Sequence, residues 1–121
     1  MEFNFDNERP IYIQLVEMLK LAIITGKYPL GSRLPSVREL ALYAKVNPNT
    51  LQKALGELES DKLIYTERTN GKYVTSDSKL VKKYQDNMAK EIVNKFINDM
   101  NNIGYDYKMI KEYLKEIGEN K

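Results

Sequence analysis

The chain has 121 residues, a formal charge of +2, no cysteine and no histidine. That length suits one domain-sized unit, or a small domain with an appendage, and it can bury a real core. The missing cysteine excludes a disulfide framework and any thiolate site, the missing histidine removes the commonest metal ligand and general base, and no metal or cofactor is assigned. The first ten residues, MEFNFDNERP, are polar and acidic with no apolar h-region. No run approaches the roughly 18 apolar residues of a membrane span, so a cytoplasmic protein without a membrane partner is expected. Residues 1–8 read as a flexible arm, with Phe3 and Phe5 available to fold back on the body or on a second subunit.

Pro10 opens a helix whose core-facing stripe is Ile11, Leu15, Met18, Leu19 and Ala22 or Ile23, ending near Gly26. Residues 26–35, GKYPLGSRLP, hold two Gly and two Pro and form a structured loop. Ser36, three residues before Glu39 and just ahead of Leu40, Ala41 and Tyr43, reads as the N-cap of a second helix with a capping box. A third helix is expected from Asn47-Pro48-Asn49-Thr50, where Asn47 caps and Pro48 fills the first turn. Its apolar residues Leu51, Ala54, Leu55 and Leu58 share one side, which turns Asn49, Thr50, Gln52 and Lys53 toward solvent or a partner. Small Ala41 suits a close helix approach, while Val46 and Leu51 anchor the turn. Lys45 occupies a turn position that favours positive φ, where a Cβ costs on the order of 1 kcal/mol. Two short helices joined by so tight a turn make a helix-turn-helix, with two amphipathic helices of some other small bundle as the alternative.

Leu63-Ile64-Tyr65-Thr66 and Lys72-Tyr73-Val74-Thr75 are β-prone runs around the hairpin signal Asn70-Gly71, so a β-wing follows directly. Its tip, Arg68 to Lys72, sets two cations around a glycine. From Lys27 to Ser76 there are eight cations against five carboxylates, and the acids of the third helix fall in its C-terminal half. A basic end is then available to DNA, although an ordinary mixed surface also fits the count. After a polar joint at residues 75–78, helical periodicity runs from about Lys79 to Asn102, with Val81, Tyr84, Met88, Ile92, Phe96, Met100 and Ile103 in one stripe. Gly104 closes that helix and Asp106 caps a last one with Met109, Ile110, Tyr113, Leu114 and Ile117 inward. The apolar face of this αα-hairpin is wider than one partner helix covers, which points to a homodimer built on Tyr84, Met88, Ile92, Phe96 and Met100. Packing back on the winged helix is the alternative.

Pro10-Ile11-Tyr12 with Gln14-Leu15, Gly26, Gly31, Leu34-Pro35-Ser36 with Arg38-Glu39-Leu40-Ala41, Val46 to Thr50 with Ala54, and the Asn70-Gly71 wing together resemble the winged-helix domain of the GntR family of bacterial regulators. The short length and the Val-Asn-Pro-Asn-Thr turn are most similar to its YtrA-type branch. The resemblance spans residues 9–76 and implies a sequence-specific, dimeric regulator of double-stranded DNA, most simply a repressor at a palindromic operator, with membrane-transporter genes as plausible targets. The expected fold is mainly α with a small β-wing: an arm (1–8), a winged helix-turn-helix domain (9–76) and a two-helix dimerisation region (77–121). Arg33, Ser36, Arg38 and Lys72 are the candidates for phosphates; Arg38 stands at the family's DNA-contacting Arg position. Asn47, Asn49, Thr50, Gln52 and Lys53 are the candidates for base edges, and Asn70 and Gly71 for the wing contact. Many relatives carry Arg where Pro48 stands, so a guanine-reading contact is lost and a more A·T-dependent readout is expected. No nucleophile, phosphate loop or carboxylate pair supports an enzyme. The remaining alternative is a winged-helix module that binds protein without a DNA target. The 77–121 region is too short for a ligand-binding domain of ordinary size, and no small-molecule effector is assigned.

Overall fold

The computed structural model describes residues 2–120; Met1, where the expected arm begins, and Lys121, where the expected C-terminal region ends, lie outside the described residues. The described elements are α1 (Ile11–Ile24), α2 (Val37–Ala44), α3 (Pro48–Ser60), β1 (Ile64–Glu67), β2 (Gly71–Val74), α4 (Ser78–Asn102) and α5 (Tyr107–Glu119). A mainly helical chain with a two-stranded wing is what the periodicities predict. The chain divides into two compact units between Lys83 and Tyr84, inside α4 rather than at the polar joint before it, because Val81 in the first turn of that helix is buried with the first unit.

In the first unit α3 is the central element, packed against α1, α2 and β1. Leu51, Ala54, Leu55 and Leu58 of α3 are buried together with Leu15, Leu19, Ala22 and Ile23 of α1 and Leu40, Ala41 and Ala44 of α2. Gln14 is also buried, at 2% exposure, and its amide is satisfied. Its Oε1 accepts the Asp6 N–H at 2.9 Å and its Nε2 donates to the Arg9 and Asp6 carbonyls at 2.8 and 3.1 Å. A side chain with one acceptor and two donors thereby fixes the chain ahead of α1, so Asp6 of the expected arm, and Arg9 just after it, are held to the body.

Both caps of the helix-turn-helix form. The Ser36 hydroxyl accepts the Glu39 N–H at 3.1 Å and Asn47 Oδ1 accepts the Asn49 N–H at 2.8 Å. Between them Lys45 takes the left-handed conformation at φ 57°, ψ 46°, and the Val46 N–H reaches back to the Ala41 carbonyl at 3.1 Å. Val46 itself is half-buried. One expectation fails on α2: Tyr43, counted with its apolar residues, is 72% exposed. With Leu40, Ala41 and Ala44 inward, the 3.6-residue period turns position 43 outward.

The wing pairs β1 with β2 antiparallel, with Thr66 opposite Lys72 and Tyr65 opposite Tyr73. Its tip differs from the expected Asn-Gly turn. The Asn70 N–H closes a turn onto the Glu67 carbonyl at 3.3 Å, Gly71 alone takes positive φ (97°), and Asn70 does not. A two-residue turn with positive φ at both central positions is therefore absent, and Arg68 to Asn70 make the connection. The loop before α2 also takes part: Leu34 N–H donates to the Lys72 carbonyl and Val74 N–H to the Ser32 carbonyl, both at 2.8 Å. Residues 32–34 thus serve as a short third rung beside β2.

In the second unit α4 ends where Gly104 takes φ 96°, its N–H bonding the Asn101 carbonyl and the Tyr105 N–H bonding the Met100 carbonyl, each at 3.0 Å. Asp106 Oδ1 then caps α5 on the Met109 N–H at 2.9 Å. Of the residues expected inward on α5, Ile110 is buried, whereas Met109, Tyr113, Leu114 and Ile117 are exposed. Two helices share only one seam, so a wide stripe leaves its flanking rows uncovered. No described helix is long and apolar enough to cross a membrane.

Two of the positive-φ positions, Lys45 and Gly104, give opposite expectations. Lys45→Gly removes a Cβ penalty and is expected to raise the unfolding free energy by about 1 kcal/mol, while Gly104→Ala introduces one and lowers it by about the same amount. Urea titrations followed by circular dichroism measure both, and a Lys45→Gly midpoint below the parent's contradicts the assignment.

Candidate nucleic-acid interface

Burial of one face of α3 decides what its other face presents. With Leu51, Ala54, Leu55 and Leu58 facing the core, Asn49, Gln52 and Lys53 are exposed and Thr50 is half-buried. These are the candidate base readers, and they stand together on the N-terminal half of the helix. Asn47 has a divided role: its Oδ1 accepts the cap bond, which leaves its amide nitrogen and one lone pair of that oxygen for a partner. Lys53 is not a free tether, because its Nζ sits 3.7 Å from the centroid of the Tyr12 ring. A cation held over an aromatic face gains roughly 0.5–1 kcal/mol at exposed sites and keeps a narrower range of positions.

Charge along α3 is polarised. Its C-terminal half carries Glu57 and Glu59 with Asp61 at the cap, where the helix dipole already concentrates negative charge. Two lysines offset this: Lys20 of α1 lies 3.4 Å from Asp61, and Lys72 of β2 bonds Glu59. The N-terminal half keeps its positive dipole end, Lys53 and no acid, which favours an anion there.

The candidate phosphate ligands cluster separately. Arg33, Ser36, Arg68, Gly71 and Lys72 line one open groove of about 280 Å³ between the start of α2 and the wing. Arg33 lies directly over the wing tip, since a Cβ built on Gly71 would stand 3.4 Å from its Nε and Nη2. Gly71 therefore serves twice, supplying positive φ and leaving room for a guanidinium. Arg38 is exposed on α2 and Asn70 is exposed at the tip.

Lys72, a candidate for a phosphate, is engaged within the protein. Its Nζ donates to Glu59 Oε1 and to Thr66 Oγ1, the latter at 3.0 Å, and its side chain is only 20% exposed. Thr66 Oγ1 donates to the same carboxylate oxygen. The hydrogen bonds from Lys72 and Thr66, with the Lys72 charge, hold the Glu59 carboxyl below the usual carboxylate range despite some burial. Glu59, Thr66 and Tyr12 are the participants that periodicity does not single out. Each acts through a contact with a residue distant in the chain, and composition carries no sign of it. Among the described residues no group of three His, Cys, Asp or Glu side chains is placed to hold a metal.

Comparison with known proteins agrees with this geometry. Residues 11–74 match the family described as bacterial regulatory proteins, gntR family. Over 109 residues the chain is 37% identical to the HTH-type transcriptional repressor YtrA of Bacillus subtilis (strain 168), covering 89% of this chain and 84% of YtrA. A solved GntR family transcriptional regulator from Listeria monocytogenes superposes with a TM-score of 0.86 at 40% identity, over 93% of this chain and 98% of that one. The AraR DNA-binding domain, solved in complex with operator ORX1, matches 62% of this chain and 96% of its own at a TM-score of 0.57 and 29% identity. The chain belongs to the GntR family of bacterial regulators: it is a DNA-binding transcriptional regulator, similar over most of its length to YtrA, and not an enzyme.

Proposed function

We propose that the protein is a cytoplasmic homodimer that reads a palindromic operator and represses transcription by occupying the promoter. The outward face of α3 carries this reading: Asn49 and Gln52 take no part in the core and are exposed side by side. The AraR DNA-binding domain, whose fold this chain shares, is known in an operator complex, and YtrA is named a repressor. In the proposed complex Asn49 and Gln52 pair with adenine edges, Thr50 touches a thymine methyl and Lys53 adds charge in the major groove. Arg33, Ser36 and Arg38 position the domain on phosphates, and the wing tip at Asn70 and Gly71 approaches the backbone. Pro48 removes the guanine-reading arginine found at that place in many relatives, so A·T pairs dominate the readout.

Pairing of two chains through α4 is supported by the apolar surface of the second unit. Ile92 is 67% and Phe96 37% exposed, in one stripe with half-buried Tyr84, Met88 and Met100. A second copy covers that stripe and supplies the two-fold axis a palindrome requires.

Ile92→Lys or Phe96→Lys is expected to dissociate the dimer without unfolding the first unit, because a charge among apolar side chains costs several kcal/mol without a partner. Sedimentation velocity reads the outcome, and a full dimer in both variants places the pairing surface elsewhere. Base reading has its own test on a duplex recovered by selection from random DNA. Asn49→Ala and Gln52→Ala should each cost about 1–3 kcal/mol on that duplex and little on scrambled DNA. Parent-like binding by both variants removes α3 as the reading helix.

A further inference from the structure

Lys72 and Thr66 stand directly opposite each other in the wing ladder, and both reach the same oxygen of Glu59 on the last turn of α3. One carboxylate thereby ties both strands of the hairpin to the recognition helix. The Lys72 carbonyl is engaged as well, accepting the Leu34 N–H. A phosphate at this ammonium would compete with the carboxylate of a partly exposed pair, leaving Glu59 with the Thr66 hydroxyl alone at the negative end of a helix dipole. Arg33 and Arg68 line the same groove, are exposed and have no carboxylate partner among the described residues.

We propose that Lys72 is a positioning residue rather than a phosphate ligand: through Glu59 it locks the wing to α3, and Arg33 and Arg68 make the wing-side phosphate contacts. The inference rests on the DNA-reading function proposed above. A wing whose angle to α3 is fixed before binding presents its tip in register with the helix, and the ordering cost falls on folding instead of on association.

The test uses the full chain, hydrogen exchange of wing amides, and titrations of the selected duplex at several salt concentrations. Lys72→Met and Glu59→Gln are expected to speed exchange in residues 64–74 by about fivefold, the scale of a partly exposed charge pair. Both should weaken DNA binding by a similar factor while leaving the slope of log K against log salt at the parent value. Arg33→Gln and Arg68→Gln should each make that slope shallower by about 0.9, one released counterion apiece. The reversed pair Glu59→Lys with Lys72→Glu should restore both exchange protection and affinity relative to Lys72→Glu alone. A slope reduced by about 0.9 in Lys72→Met, or a reversed pair that binds no better than Lys72→Glu, overturns the proposal. The exchange measurement needs no DNA: parent-like protection in Lys72→Met and Glu59→Gln overturns the lock whatever binds, whereas a parent that prefers no duplex sinks the DNA-reading function instead.

Discussion

Everything the first unit presents to the outside depends on the burial of one face of α3. Leu51, Ala54, Leu55 and Leu58 are each at most 1% exposed, and fully burying a leucine is worth about 1.5–3 kcal/mol. That free energy fixes the rotation of the helix about its axis, and a helix of 3.6 residues per turn then has no choice about which side chains it turns outward. Ala54, fully buried, allows close approach at the centre of the face. The exposure of Asn49 and Gln52 is therefore a consequence of core packing, which holds two adaptable polar side chains on a rigid element.

A second layer of order is electrostatic. A net charge of +2 is a small attraction for a polyanion, so the arrangement of charge matters more than its amount. The acids at the C-terminal end of α3 are matched by Lys20 and Lys72, and Lys53 rests on Tyr12. Three of the unit's lysines are thus partly committed inside the protein. The exposed guanidinium groups of Arg33 and Arg68 sit at the groove, and arginine suits that place because its planar fork meets phosphate oxygens in pairs.

What could be read ahead of the structure was whatever short-range chemistry decides. Ser36, Asn47 and Asp106 cap helices because their side chains bond an N–H two or three residues on, and such bonds are written in adjacent letters. The stripe on α3 and the break at Gly104 were readable for the same reason. The commitments of Lys53 and Lys72 were not, since Tyr12 and Glu59 lie 41 and 13 positions away from them and meet them only after folding. The Asn70-Gly71 pair shows the limit at short range: the pair permits a two-residue turn, but the pairing of Glu67 with Gly71 sets the register and the tip follows it. Tyr43 went astray because Leu40, Ala41 and Ala44 already fill the inner face of a helix only eight residues long.

The second unit shows what one copy of a sequence leaves unfinished. Ile110 is buried there, while Ile92, Val93, Phe96, Tyr107, Met109, Tyr113, Leu114 and Ile117 all keep a third or more of their surface in water. Two packed helices share one seam, and the apolar rows that flank it stay exposed in the described unit. In the proposed dimer those rows are the interface, so the apolar surface that completes the second unit also joins two copies of the reading head. Association and local stability then draw on the same contacts, and the unit's stability rises with protein concentration as mass action requires. In that proposed dimer each reading helix gains effective concentration from its twin on a palindrome, which lets an interface of a few amides reach a specificity that one head of modest charge cannot.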